Sequence, residues 1–148
     1  NSVYVFEPDD NNFKNCKQAL KDKKNIKFFP IGLSNSKGTL RFNISGSASS
    51  ISDQGSVEIS VDRLDDLINI KPTFIKIDIE GGESSAIEGA KNTIKDHHPR
   101  LAISAYHTAG DFWSIPEQIL NIRDDYAVYM RHYTECIYET VLFFVPIK

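Results

Sequence analysis

The sequence predicts an α/β fold on a mostly parallel sheet that closes in an antiparallel pair. Three observations carry this. Short apolar runs alternate with helical patterns, the sequence form of successive βαβ units. The last two runs are separated only by Thr134-Glu135-Cys136, which leaves room for a hairpin and not for a crossover. An apolar run from Phe74 to Ile79 also carries Asp78 and leads into Glu80, Gly81, Gly82 and Glu83. A buried strand that delivers polar groups at its C-terminal end has that pattern, and ligands of open α/β sheets bind there.

The bulk properties narrow the class. At 148 residues the chain fits one domain, 1–148, with no linker or repeat to divide it. With 41% hydrophobic and 25% charged residues it reads as globular, not disordered. The net charge of −3 gives nucleic-acid binding no support, and Lys21, Lys23, Lys24 and Lys27 read as a solvated helix end. No run is long enough to span a membrane. Cys16 and Cys136 form no motif, which fits a reducing, cytoplasmic setting. The chain starts at Asn1 almost inside a strand, and so reads as a fragment.

The elements follow in order. Val3 to Glu7 is a strand ended by Pro8, and Asp9 or Asp10 caps a helix to about Lys23 with Phe13, Cys16, Lys17 and Leu20 inward. Strands are expected at Ile26 to Ile31 and Thr39 to Ile44. Ser45 to Ser56 is a Ser- and Gly-rich loop, read either as a substrate lid or as a plain connector. Val57 to Val61 alternates as a half-exposed strand, and Asp62 caps a short helix to Ile68. The Thr73 to Ile79 strand precedes one helix, Glu83 to Asp96. A strand from Leu101 to Tyr106 precedes a helix near Pro116 to Arg123, with Phe112-Trp113 after Gly110-Asp111 also read as opening a helix, and strands Tyr126 to Tyr133 and Ile137 to Val145 end the chain.

Glu7 ends an apolar strand, where a carboxylate can accept hydrogen bonds from two ribose hydroxyls. The plainer reading is a carboxylate beside a helix start. Asp78 and Glu80 are two apart, so both point to one face if the strand continues through them. With Glu83 they form an acidic cluster suited to general-base work, to a hydroxyl-rich substrate or to a hard cation. Gly81 and Gly82 allow a sharp turn there. Glu83 also suits the first turn of a helix for its own sake. His107 follows a strand end and is either a proton carrier or a loop residue. His97, His98 and His132 read as structural, and Phe112-Trp113 more as a core wedge than as a stacking platform.

These pieces resemble the FkbM family of S-adenosylmethionine-dependent methyltransferases. The segments that carry the resemblance are Val3 to Pro8, Ile31 to Ser34 with Gly38, Val61 to Leu67, Phe74 to Ala90, Pro99 to His107 and Arg131 to Tyr133. The resemblance implies a class I methyltransferase (Rossmann-like) sheet, with the closing antiparallel strand inserted before the last parallel one. It implies O-methyl transfer from S-adenosylmethionine to a sugar, glycan or other small hydroxyl-bearing natural product. By position, Glu7 binds the donor's ribose, and Gly32, Leu33 and Ser34 lie near its adenine. Asp78, Glu80, Glu83 and His107 face the sulfonium or the acceptor hydroxyl. Family members place a strand and a glycine-rich loop before the Phe-Glu-Pro strand. Here that unit is missing, so the Glu7 and Asp78 strands should pair directly or leave a gap one strand wide, and the chain alone should bind the donor weakly or not at all.

Two other readings stay open. A divalent-metal enzyme handling sugars or phosphates could use Asp78, Glu80 and Glu83. A non-catalytic binding module could use the Ser-rich loop as its surface. A dinucleotide dehydrogenase is disfavoured, since no Gly-x-Gly-x-x-Gly loop occurs and such enzymes do not need three clustered acids.

Overall fold

The computed structural model describes residues 2–43, 50–51, 57–136 and 138–147. Most of the Ser-rich segment 45–56 lies outside them. The strands are β1 (Val3–Phe6), β2 (Ile26–Phe29), β3 (Gly32–Leu33), β4 (Gly38–Asn43), β5 (Ser50–Ile51), β6 (Val57–Asp62), β7 (Phe74–Ile77), β8 (Arg100–Ser104), β9 (Tyr126–His132) and β10 (Thr140–Pro146). The helices are α1 (Asp10–Ala19), α2 (Leu64–Leu67), α3 (Glu83–Gly89), α4 (Lys91–His97) and α5 (Asp111–Ile122).

The main sheet has the order β7-β8-β10-β9. Strands β7 and β8 are parallel, and β10 runs antiparallel to both of its neighbours. The closing antiparallel strand therefore sits before the last parallel one, as the resemblance implies. Helices α3, α4 and α5 contribute Ile87, Ile94, Ile115 and Ile119 to a core shared with Leu101, Ile103 and Phe144 of the sheet. Tyr126 is buried in the same cluster, and its hydroxyl donates to the Pro99 carbonyl at 2.7 Å.

Strands β1 and β2 pair in parallel by themselves, with Phe6 stacked on Phe29 at 4.8 Å between centroids. A further sheet has the order β3-β6-β4-β5. Among the described residues β1 does not pair with β7. As an edge strand β7 leaves Phe74 and Lys76 exposed and only Ile77 fully buried. The expected buried strand is only partly buried, since among the described residues β7 lies at the sheet edge.

Several boundaries differ from the sequence reading. Helix α1 stops at Ala19, well before Lys23, and none of its residues is fully buried. Phe13, Cys16 and Leu20 are half-buried, but Lys17 is exposed, its ammonium 5.4 Å from the Phe13 ring centroid. Strand β2 stops before Pro30, which has no N–H to donate. Asp62 does not cap α2. It ends β6, and its carboxylate accepts the Arg63 N–H at 2.8 Å.

The expected helix from Glu83 to Asp96 is two helices. The break at Ala90 gives α4 its own N-terminus, and Asp65 caps it from a distance. The Asp65 carboxylate accepts the Asn92 N–H at 3.0 Å, the Thr93 N–H at 2.9 Å and the Thr93 hydroxyl at 2.7 Å. Helix α5 begins at Asp111, not at Pro116, which lies inside it. Its start leaves Trp113 77% exposed and Phe112 exposed, so these two are not a core wedge.

Candidate active site

Parallel pairing of β7 with β8 builds the site. Ile77 is level with Ile103, so Asp78 emerges beside Ser104, with Tyr106 and His107 just beyond. Strand β7 ends before Asp78, and the chain then turns. The Gly82 N–H donates to the Ile79 carbonyl at 3.2 Å, with φ 57° at Glu80 and 93° at Gly81. Positive φ at both central residues is the signature of a type I′ turn. Glu80 and Gly81 thus make the turn, whereas Gly82 has an ordinary φ of −90° and opens α3. Asp78 and Glu80 share a side because of this turn, not because of strand pleating.

The turn places three acids around one imidazole. His107 Nδ1 is 3.0 Å from Glu83 Oε1, and Nε2 is 3.5 Å from Glu80 Oε2 and 3.9 Å from Asp78 Oδ1. The imidazole and the Glu83 side chain are buried, 8% and 2% exposed. Neither ring nitrogen is in good hydrogen-bond alignment with a described residue, and the contacts are ion pairs only when the imidazole is protonated. Glu83 Oε1 also accepts the Ile79 N–H at 2.9 Å, which fixes the turn to α3. Asp78 accepts from Lys76 Nζ at 2.7 Å and from the Tyr106 hydroxyl at 3.2 Å.

Electrostatics follow from this packing. Burial pushes the Glu83 carboxyl up, but His107 and the N–H groups of Ile79 and Glu83 outweigh it, leaving Glu83 below its usual range. Burial raises Asp78 too, and Lys76, the Ser104 hydroxyl and Tyr106 bring it below the ordinary value. His107 goes the other way. Burial lowers it, while Glu83, Glu80 and Asp78 raise it further, so the net shift is upward. Tyr106 is raised by burial and by the Asp78 charge.

Glu7 lies across a cavity of about 790 Å³ that is also lined by Tyr4, Gly32, Leu33, Asp78 and Glu80. Half-buried, it is raised by that burial, while the Asp9 N–H at 2.9 Å works against the rise. Asp9 itself caps α1, accepting from Asn11 and Asn12. Gly32 is buried in the wall, where a Cβ would come within 3.1 Å of Val61. Ser34 is not on the cavity. It is buried beneath α3, where its carbonyl packs against Gly89. Asp78, Glu80, Glu83 and His107 form one cluster, and Glu7, Gly32 and Leu33 share the cavity with its outer members. Sequence reasoning missed Lys76 and Tyr106. Lys76 stands two residues before Asp78 and Tyr106 directly before His107, but nothing in either residue type announces a contact with Asp78.

One oxygen or nitrogen each from Asp78, Glu83 and His107 lies within 4.8 Å of the others, a spacing that a metal ion could bridge. No helix among the described residues is long and apolar enough to cross a membrane.

Residues 1–135 match the family described as the methyltransferase FkbM domain. A methyltransferase FkbM from Methylobacillus flagellatus KT is similar in structure, with a TM-score of 0.80 and 34% identity over 97% of this chain. The chain spans about a third of that protein's length, 36%. An rRNA methylase from Streptococcus thermophilus shares the fold at a TM-score of 0.56 and 14% identity, over 99% of this chain and 74% of the other. No curated protein matches. The match over residues 1–135 and the 34% identity over 97% of the chain agree, and the chain belongs to the FkbM methyltransferase domain family.

Proposed function

We propose that this chain forms the site of a cytoplasmic S-adenosylmethionine-dependent O-methyltransferase, acting on a hydroxyl of a sugar, glycan or other small natural product. One observation carries the reading. Glu7 and the Asp78–Glu80 edge line the same cavity, so a ribose anchor and a proton-handling cluster lie within reach of one ligand. Its volume, about 790 Å³, falls in the range of sites for small-molecule ligands and cofactors. Bare backbone at Gly32 leaves the wall flat enough for a base. Neither nucleic acid nor membrane is a partner in this reading.

When bound, the donor supplies a methyl group on a positively charged sulfonium, which the clustered carboxylates would attract. Glu7 would hold the ribose hydroxyls. Glu80 and Asp78 would accept hydrogen bonds from the acceptor and orient its oxygen. Glu83 lies against His107 Nδ1, and Nε2, buried behind Glu80 and Asp78, would receive the hydroxyl proton through one of those carboxylates. Orientation and proton removal are the two contributions asked of the chain.

Calorimetric titration with S-adenosylhomocysteine tests the reading. Glu7→Ala should weaken binding by about tenfold or more, the worth of a charge-assisted hydrogen bond. Equal affinity in the two proteins counts against it. The spacing of Asp78, Glu83 and His107 favours a second, metal-assisted reading. It requires manganese or magnesium to raise the melting temperature and Asp78→Asn to abolish that rise.

A further inference from the structure

Tyr138 stands in the turn between β9 and β10, is 57% exposed, and has no part in the chemistry described above. Its ring meets Tyr106 edge-on, with centroids 6.1 Å apart and planes at 89°. Tyr106 in turn packs against the His107 ring at 4.2 Å and donates to Asp78. Tyr106 therefore connects the exposed Tyr138 ring to the acidic cluster, with the His107 ring buried behind it.

The turn that carries Tyr138 is held in place. The Thr134 hydroxyl donates to the Tyr138 carbonyl at 2.8 Å, and the Tyr133 N–H to the Glu139 carbonyl at 3.2 Å. Glu139 has φ 63°, a conformation that non-glycine residues keep only where the surroundings impose it, often at ligand sites.

Aromatic faces beside carboxylates suit a ring with one C–H-rich face and a rim of hydroxyls. The C–H face covers the aromatic carbons, and the hydroxyls donate to the carboxylates. We infer that Tyr138 and Tyr106 form a binding subsite for a pyranose ring, with Tyr138 as the residue that sets acceptor specificity. Its C–H face lies on Tyr138 and its hydroxyls point to Glu80 and Asp78. Calling this ring the acceptor rests on the methyl-transfer reading, whereas the binding itself does not.

Saturation-transfer NMR on the protein tests the inference, using methyl glucopyranoside, methyl galactopyranoside and methyl mannopyranoside, with sorbitol as the open-chain control. At least one pyranoside should receive saturation at its ring protons. Tyr138→Ala should weaken that signal about fivefold or more, as loss of an aromatic contact implies, and Tyr138→Phe should keep it. Calorimetry with S-adenosylhomocysteine should be unchanged by Tyr138→Ala. Equal signals from wild type and Tyr138→Ala, no pyranoside signal from wild type, or sorbitol matching the pyranosides overturns the inference. Tyr138-dependent pyranoside binding together with equal donor affinity in wild type and Glu7→Ala leaves the subsite standing and overturns the methyl-transfer reading instead.

Discussion

Glu83 Oε1 lies 3.0 Å from His107 Nδ1 and accepts the Ile79 N–H at 2.9 Å. One buried oxygen thus joins the start of α3, the turn after β7 and the loop after β8. The residue that fixes the turn is also the one that orients and charges the imidazole, so substitutions at Glu83 should affect shape and chemistry together.

The activity should depend on pH through His107. Its shift is upward, and it accepts a proton only when neutral. Methyl transfer to a hydroxyl should therefore fall as pH drops through that raised value. Glu83→Gln removes a charge that raises it, so the acidic limb should move to lower pH while kcat also falls. His107→Ala should reduce kcat on the order of a hundredfold or more. Initial rates across pH check this, and an unmoved limb in Glu83→Gln would show that His107 is not the titrating group.

The same pair links stability to pH. Glu83 is lowered in the native state, so its contribution is complete above its ordinary 4.5 and is lost as pH falls through the native value. His107 is raised, so its contribution is complete below its ordinary 6.5 and is lost as pH rises through the native value. The pair stabilises most between those two values. Melting temperatures should show wild type gaining most over a Glu83→Gln, His107→Gln double variant in that window, and a difference that does not vary with pH would refute it.

Glu80 occupies a left-handed conformation at φ 57° that glycine adopts freely. Glu80→Gly should raise stability by about 1 kcal/mol by relieving that strain. It should also lower activity, since it removes the carboxylate nearest His107 Nε2. Denaturant titration alongside an activity assay checks both halves. A variant that is less stable than wild type would show that the Glu80 side chain, not its backbone, dominates.

A Cβ added at Gly89 would sit 1.9 Å from the Ser34 carbonyl oxygen, a contact with backbone that cannot swing aside. Gly89→Ala should cost about 3 kcal/mol by overpacking, or leave the chain unfolded. Asp65→Ala serves as a comparison. It removes the remote cap of α4 without adding bulk, and should cost about 2 kcal/mol in the same urea titration. Wild-type stability in Gly89→Ala would mean that β3 and α3 can part more readily than their packing implies.

Local chemistry explains what could be read in advance. Alternating Val57, Ile59 and Val61, the Pro8-Asp9 stop and cap, and the short link between β9 and β10 each act within a few residues, so the elements they set were legible. The helix break at Ala90 was not. Its cap comes from Asp65, and its close packing from Ser34, both far along the chain. Pro116 misled for a similar reason. It is a common first helical residue, but here Thr108 and Asp111 bond to each other and start α5 earlier.

By itself the sequence determined the alternation of strands and helices, the antiparallel close and the presence of carboxylates at strand ends, since each depends on short-range periodicity and on polar groups that cannot be buried alone. Tertiary structure decided which of those groups meet. The register of β7 on β8 sets Asp78 beside Tyr106 and His107, the Glu80-Gly81 turn swings Glu83 under the imidazole, and the hairpin end brings Tyr138 against Tyr106. Those contacts join residues about 20 to 30 positions apart, where chain periodicity carries no information and only packing chooses the partner.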